Sequence, residues 1–316
     1  MPSFDTSPAY SVVIPTYNRL DTLPEVLAAL AAQHDAPPFE VVVVDDGSTD
    51  GTAEWIRTWG GDVHLLRQQN RGPAAARNAG VAAARGNVVA FLGDDTVPSP
   101  GWLRAHHQRR CAPADDRRPV AVIGYTAWHP RARLTPFLRY INEYGLQFGY
   151  ALIEDPDDVP FQFLYTSNLS LERSTLLAEP FDETFPYPAW EDTELSYRLK
   201  ERRGLRLVYC AEARAEHDHP TDLRRFGVRQ AKAGYCAVVF YRRHPELGAF
   251  LGLGPDGPPP RPPRWRHFGR ELLARALQYT SFERPALWEE VLRYHYITGL
   301  QRGWREGAGL DGGERP

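Results

Sequence analysis

The chain has little lysine, little cysteine and no long apolar run. Lys200 and Lys232 are its only lysines, so almost all of its basic charge is arginine. Arginine suits bidentate contact with phosphate, but it is equally the basic residue that GC-rich genomes favour. The net charge is only -3, which leaves no electrostatic case for nucleic acid as a partner. The cysteines, Cys111, Cys210 and Cys236, are far apart and form no Cys-x-x-Cys. That argues against a zinc ribbon and a disulfide framework, and it suits a reducing compartment. No stretch approaches the roughly 18 apolar residues of a membrane span. Residues 1–9 lack the basic start and apolar run of a secretory signal, so a cytoplasmic location is expected. There is no Gly-x-Gly-x-x-Gly after the first apolar run and no Walker loop, so a dinucleotide-binding dehydrogenase or a P-loop enzyme is disfavoured.

What is present is a regular alternation of apolar runs and helical spacing. Residues 10–15, 39–44, 63–67 and 87–92 read as strands. Between them, Leu20, Leu23, Leu27 and Leu30 recur at helical spacing, a second helix is expected from Thr52 to Thr58, and an alanine-rich one from Pro73 to Ala84. The strand runs are continuous rather than alternating, as expected for parallel strands covered on both faces. The pattern predicts a doubly wound α/β half, and ligands on such sheets bind beyond the carboxyl ends of the strands. Further along, a strand is expected near Asn168–Leu171, a helix from Asp192 to Arg202, a strand at Leu205–Tyr209, and a basic helical stretch from Asp222 to Arg243. Gly254–Pro263 is a Pro/Gly-rich connector, followed by two helices broken around Pro285.

Polar motifs fall where the strand rule points. They are Pro15-Thr16-Tyr17-Asn18, Asp45-Asp46-Gly47-Ser48, Arg77-Asn78 and Gly93-Asp94-Asp95-Thr96. Each has a plain alternative, because Asp-Gly and Asp-Ser segments often only make turns and caps. Two carboxylate pairs at adjacent strand ends repel unless something cationic lies between them. A divalent ion with a diphosphate is one economical answer. Asp46-x-Ser48-x-Asp50-Gly51 also looks like the start of a calcium loop, but Arg57 occupies the position that needs a bidentate glutamate.

Taken together, Val-Val-Ile-Pro-Thr-Tyr-Asn, Val-Val-Asp-Asp-Gly-Ser-Thr-Asp, Asn70-x-Gly72 through Arg77-Asn78-x-Gly80, Phe-Leu-Gly-Asp-Asp and Trp190-Glu191-Asp192 resemble the family 2 glycosyltransferases. The resemblance runs from about Tyr10 to His219. It implies a GT-A type, Rossmann-like mixed α/β sheet flanked by helices, with a C-terminal helical extension. It divides the chain into a nucleotide-sugar-binding half (1–110), an acceptor-binding half (111–221) and a helical region (222–316) containing the connector 254–263.

The resemblance further implies inverting, metal-dependent transfer from a nucleoside-diphosphate sugar, UDP being favoured, to a saccharide, lipid-linked or small-molecule hydroxyl acceptor. Polysaccharide or glycoconjugate synthesis is the implied setting, with a catalytically inactive nucleotide-sugar-binding subunit of the same fold as the alternative. Pro15 and Tyr17 would line the base pocket, and Asp46 would accept a hydrogen bond from the base. Arg77 would lie near the nucleotide or diphosphate, its alternative being an arginine on a helix surface. Asp94 would face the ribose or sugar, and Asp95 would ligate Mn2+ or Mg2+. Many members carry an acidic residue where Gly93 stands, so the metal has one fewer carboxylate here. Asp192 would be the general base, Glu191 would bind acceptor or donor sugar, and Trp190 would stack on a sugar or pack in the core. His217 is the preferred metal-binding histidine and His219 the second choice, since imidazole suits manganese better than magnesium.

The region 222–304 is less specific. Arg224, Arg225, Arg229, Arg242 and Arg243 with Phe226, Phe240 and Tyr241 suit peripheral contact with an anionic membrane face or a lipid-linked acceptor. The plainer reading of the same residues is a charged helix packed on the catalytic core. The later helices, with Trp288, Leu292 and Trp304, are expected to form a lid, an acceptor platform or a homo-oligomer contact.

Overall fold

Valine and isoleucine fill the first strands because both sides of those strands are covered. In the computed structural model, which describes residues 8–112, 118–219 and 221–310, the order begins β1 (Tyr10–Thr16), α1 (Leu23–Ala31), β2 (Phe39–Asp45), α2 (Thr52–Thr58), β3 (His64–Arg67), α3 (Pro73–Ala83) and β4 (Val88–Leu92). These four strands pair in parallel in the order β3-β2-β1-β4. Val13, Val42, Val44, Val89 and Phe91 enter one core layer, and Val12, Ile14, Val41, Val43 and Leu92 the other. Each such side chain contributes about 1.5–3 kcal/mol when fully buried. Alternate residues face opposite sides, yet both sides are dry, so the runs read as unbroken apolar sequence.

The sheet continues with β5 (Thr96–Pro98), α4 (Trp102–Arg110), β6 (Val120–Trp128), α5 (Pro136–Glu143), β7 (Asn168–Glu172), α6 (Arg173–Ala178), α7 (Glu191–Arg203) and β8 (Arg206–His217). Among the described residues the eight strands form one mixed sheet, β3-β2-β1-β4-β7-β6-β8-β5. Strand β7 runs antiparallel between β4 and β6, β8 parallel to β6, and β5 antiparallel to β8. Strands β5 and β6 have no counterpart in the sequence reading. Strand β8 was expected to stop at Tyr209 but continues to His217. Its later residues alternate polar and apolar, and pairing with both β5 and β6 completes their backbone hydrogen bonds.

The described residues after β8 include α8 (Leu223–Arg243), α9 (Gly248–Leu251), α10 (Arg264–Leu277) and α11 (Pro285–Arg305). Asp222 caps α8 by accepting from the Arg225 N–H, and Pro285 starts α11 in its first turn. The chain separates into two compact units. Among the described residues the first contains 8–112, 118–132, 153–182 and 192–219, and the second 133–152, 183–191 and 221–310. Residues 133–152 and 183–191, expected in the acceptor half, thus belong with the C-terminal helices. Within that second unit Phe137 packs edge-on against Phe226 and Trp288. The outer limits of the expected regions at 1–7, 113–117, 220 and 311–316 lie outside the described residues.

Helices α8 and α11 approach closely at glycines. A Cβ at Gly234 would overlap the Tyr296 carbonyl, and one at Gly299 the Ala231 carbonyl. Phe226 and Phe240, expected among the membrane-facing aromatics, are instead buried in this unit. Arg229 lies over the Phe226 ring and Arg242 over Trp304, and Arg243 bonds Thr184. The exposed aromatics of the second unit include Trp265 and Phe268 on α10. Among the described residues no helix is long and apolar enough to cross a membrane.

Candidate active site

The loops after β1 and β2 are stapled together by their own polar residues. The Asn18 N–H donates to Ser48 Oγ at 2.8 Å, and the Thr49 N–H donates to Asn18 Oδ1 at 2.8 Å. Asp50 accepts from the Leu20 and Thr52 N–H groups. Asp45, fully buried, accepts from the Ser48 N–H and lies 3.2 Å from Arg67. Asp46 accepts from the N–H groups of Arg71 and Gly72 and from the Gln68 amide. Its carboxylate therefore holds the turn entering α3, a job the sequence reading did not assign to it. Pro15 is half-buried on β1, and Tyr17 is exposed just beyond it.

Asp94 and Asp95 follow β4. Arg19 supplies the cation between them, with Nε 3.5 Å from Asp94 Oδ1 and Nη2 3.3 Å from Asp95 Oδ2. The repulsion expected of the two acidic pairs is thus met by side chains already present, Arg67 at the first and Arg19 at the second. Burial, then the charge of Asp95, push Asp94 up to about 7, against the lowering charge of Arg19. Gly93 has a steric reason. A Cβ there would stand 2.6 Å from Thr96 Oγ1 and 3.2 Å from Asp95 Oδ1, so a side chain would need the Thr96 hydroxyl to shift and Asp95 to give by a few tenths of an ångström.

Pairing of β5 with β8 sets Thr96 opposite His217. This brings His217 Nε2 to 3.3 Å from Asp95 Oδ1 and His219 Nδ1 to 3.2 Å from Asp95 Oδ2. The Asp218 N–H donates to the Asp95 carbonyl at 2.7 Å, which locks the two segments. Trp128 stacks on His217, and His217 on His219, with ring centroids 5.6 and 5.3 Å apart. Burial alone would raise the Asp95 carboxyl. The two imidazoles and Arg19 instead hold it well below the usual carboxylate range. One atom from each of Asp95, His217 and His219 lies within 4.8 Å of the others. In an octahedral shell with bonds of about 2.0–2.1 Å, neighbouring ligand atoms stand about 3 Å apart. The carboxylate–imidazole distances here are close to that spacing.

The third part of the site reaches the same sheet edge through β7. The Gly93 N–H donates to the Ser167 carbonyl at 3.2 Å, and Leu92 is in register with Asn168. One residue earlier, Thr166 donates its N–H and its hydroxyl to Asp192 Oδ2, at 3.0 and 2.8 Å. Asp192 Oδ1 lies 3.4 Å from Arg77 Nη1. Arg77, whose alternative was a helix-surface position, is only 13% exposed and sits over the Phe181 ring. Burial and the Asp192 charge push the Tyr165 phenol up. Trp190 and Glu191 belong to the second unit. Trp190 has φ of 72°, uncommon for so bulky a residue. Its indole N–H donates to the Ala233 carbonyl at 2.9 Å, and its ring meets Phe240 and Phe250. Glu191 is buried.

Arg19, Trp128 and Thr166 carry no motif signal beyond their neighbourhood, and the sequence reading missed them. His219 was the second choice for metal, and the structure places it beside Asp95 together with His217.

Residues 11–166 match the family described as Glycosyl transferase family 2. The chain is 29% identical to the chondroitin synthase of Escherichia coli over 66% of this chain and 34% of that protein. It is 29% identical to a validoxylamine A glucosyltransferase of Streptomyces hygroscopicus subsp. limoneus over 76% of this chain and 58% of that one. With the pre-mycofactocin glycosyltransferase of Mycobacterium tuberculosis identity is 32%, covering 76% and 49%. The chain thus spans between about a third and three fifths of these relatives' lengths. Among solved structures, a mannosyltransferase from Pyrobaculum calidifontis in complex with GDP-Man and Mn2+ superposes with a TM-score of 0.61 at 18% identity, covering 95% of this chain and 88% of that one. Staphylococcus aureus TarS superposes at 0.52, covering 93% and 54%. The mixed sheet flanked by helices is that of the GT-A glycosyltransferases.

Proposed function

The chain belongs to glycosyl transferase family 2 through residues 11–166, and from that premise we propose that it transfers a sugar from a nucleoside-diphosphate donor to a hydroxyl acceptor with inversion at the anomeric carbon. The observation that carries this reading is the meeting at one sheet edge of Asp94, Asp95, His217 and His219 with the Thr166–Asp192–Arg77 group. Tyr17 and Pro15 would border the base, and Asp94 the ribose or sugar. Asp46 would shape the base pocket chiefly through the turn it holds at Arg71 and Gly72.

Asp95, His217 and His219 would hold a divalent ion. A mixed imidazole and carboxylate set suits Mn2+ better than Mg2+, which prefers oxygen ligands. Such an ion, when bound, screens the negative charge that develops on the leaving diphosphate. Asp192 acts on the acceptor. Its Oδ2 is held by Thr166 and its Oδ1 faces Arg77, and this oriented carboxylate would receive the hydroxyl proton as the acceptor oxygen bonds to the anomeric carbon. The bond from that carbon to the diphosphate oxygen breaks, and the nucleoside diphosphate leaves with the electron pair. Arg77 fixes Asp192 from the other side. Glu191 and Trp190 would serve the acceptor side. UDP is the favoured nucleotide, although the Pyrobaculum neighbour holds GDP-Man. Glycoconjugate or polysaccharide synthesis is the proposed setting, as in the named relatives. The free cysteines suit a cytoplasmic site of action.

The test is a calorimetric screen of UDP-, GDP- and dTDP-sugars with Mn2+, with Mg2+ and with chelator. One nucleotide should bind at least tenfold tighter with Mn2+, and Asp95→Ala should abolish that gain. Equal affinity with and without chelator would remove the metal from the reading. No binding across the panel would remove the donor.

A further inference from the structure

Helix α10 is poorly explained by burial. Of its 14 residues only Ala274 is buried, while Trp265, Phe268, Leu272 and Leu273 are exposed. What faces α11 from α10 is largely polar. His267 and Glu271 lie one turn apart on α10, and His295 comes from α11. These side chains are only 10%, 20% and 24% exposed. His267 Nε2 lies 3.0 Å from Glu271 Oε2, and His295 Nε2 lies 3.9 Å from Glu271 Oε1. One ligating atom from each residue lies within 4.8 Å of the other two.

We propose that His267, Glu271 and His295 form a second metal site, of the zinc class, that joins α10 to α11. Two imidazoles and one carboxylate make a zinc donor set, and three protein ligands leave a fourth position for water. With bonds of about 2.0–2.1 Å, tetrahedral ligand atoms stand about 3.4 Å apart. The two measured separations, one to each carboxylate oxygen, lie on either side of that value, and one ligating atom from each residue lies within 4.8 Å of the others, so small side-chain rotations would close the shell.

Three further features fit a metal better than a simple ion pair. His267 Nε2 is buried and makes no aligned hydrogen bond, although Glu271 is within reach. The His267 ring lies flat on Tyr294, with centroids 3.6 Å apart and planes 7° apart. Face stacking fixes the imidazole plane and leaves its in-plane lone pair for an ion. Arg275 Nη2 lies 3.3 Å from Glu271 Oε1, so coordination through Oε2 keeps the arginine as an outer partner that orients the carboxylate. Beside the cluster is a cavity of about 510 Å³, lined by Trp265, Phe268 and Tyr294 with Arg264, which gives the fourth position access to solvent.

The test uses the full chain with Asp95→Ala and His217→Ala, so that the strand-end cluster does not contribute to the count. After chelator treatment it is titrated with Zn2+ against a chromophoric competitor. One equivalent should bind, with a dissociation constant of about 1 μM or tighter, and zinc should raise the thermal midpoint. Adding His295→Ala or the near-isosteric Glu271→Gln should weaken binding roughly 100-fold or more, beyond the 10–100-fold that outer partners cost. Circular dichroism of each variant reports whether the helices still form. Absence of zinc binding in the Asp95→Ala, His217→Ala chain overturns the proposal. So does unchanged affinity in both Glu271→Gln and His295→Ala.

Discussion

Replacing Asp192 by asparagine separates proton transfer from architecture. The amide keeps the shape of the carboxylate, and its oxygen can still accept the N–H and hydroxyl of Thr166. Its NH2 then faces Arg77, whose Nη1 lies 3.4 Å from the present Oδ1. Donor facing donor removes that ion pair, and because the Arg77 and Asp192 side chains are only 13% and 22% exposed its loss should cost the fold up to about 3–5 kcal/mol, which denaturant titration reads separately from turnover. The amide cannot take a proton. A positioned base contributes about 10²–10⁴ in rate, equivalent to about 3–5 kcal/mol of barrier. Asp192→Asn should therefore lose that factor in kcat for nucleoside-diphosphate release from the bound donor, measured with acceptor or with water as acceptor. Nucleotide affinity should stay within about threefold, because the proposed nucleotide contacts lie with Tyr17, Asp94 and Asp95. Thr166→Val removes one of the two donors and keeps the carboxylate. Hydrogen bonds to charged groups are worth about 1.5–3 kcal/mol, so its loss should be roughly 10–150-fold. Turnover of Asp192→Asn within threefold of the parent would refute Asp192 as the base. A larger loss in Thr166→Val than in Asp192→Asn would refute the ranking.

Gly93→Asp should not gain metal affinity, because its Cβ would press on Thr96 and Asp95; a stability loss of about 1–3 kcal/mol is expected by denaturant titration. His106, fully buried between Asn168 and Ser170, is pushed down to about 4, mainly by burial. Its folded value lies below its unfolded one, so the neutral ring's stabilisation is present above about pH 6.5 and is lost as pH falls towards 4. The full loss is about 3 kcal/mol, and His106→Gln should flatten that part of the pH–stability curve. Gly299→Leu should force α8 and α11 apart and cost at least about 1–3 kcal/mol in thermal or chemical unfolding. An unchanged midpoint would contradict the close approach.

Much of the site was legible because it lies at the ends of strands that announce themselves. Asp46, Asp94 and Asp95 stand where the apolar runs stop, and that position follows from counting residues. Their partners were less visible. Asp45 and Asp46 read as a possible ion site, whereas Arg67 and backbone N–H groups occupy them. Arg77 read as a nucleotide contact or a surface residue, yet it faces Asp192. His217 read as a loop histidine because β8 continues into a stretch of alternating polarity that resembles a surface segment.

Alone, the sequence determined the strand–helix order from Tyr10 to Leu92 and the acidic termini of those strands. A continuous run of valines and isoleucines has few options other than a strand covered on both faces, and that constraint is local. Tertiary structure alone decided that β7 would enter antiparallel beside β4, that β5 would pair with β8, and that Asp95 would meet a histidine 124 positions away. It also decided that α10 and α11 would bring His267, Glu271 and His295 together. Periodicity records which face of an element must be buried. It does not record which partner buries it, because that choice depends on packing among segments far apart in the chain.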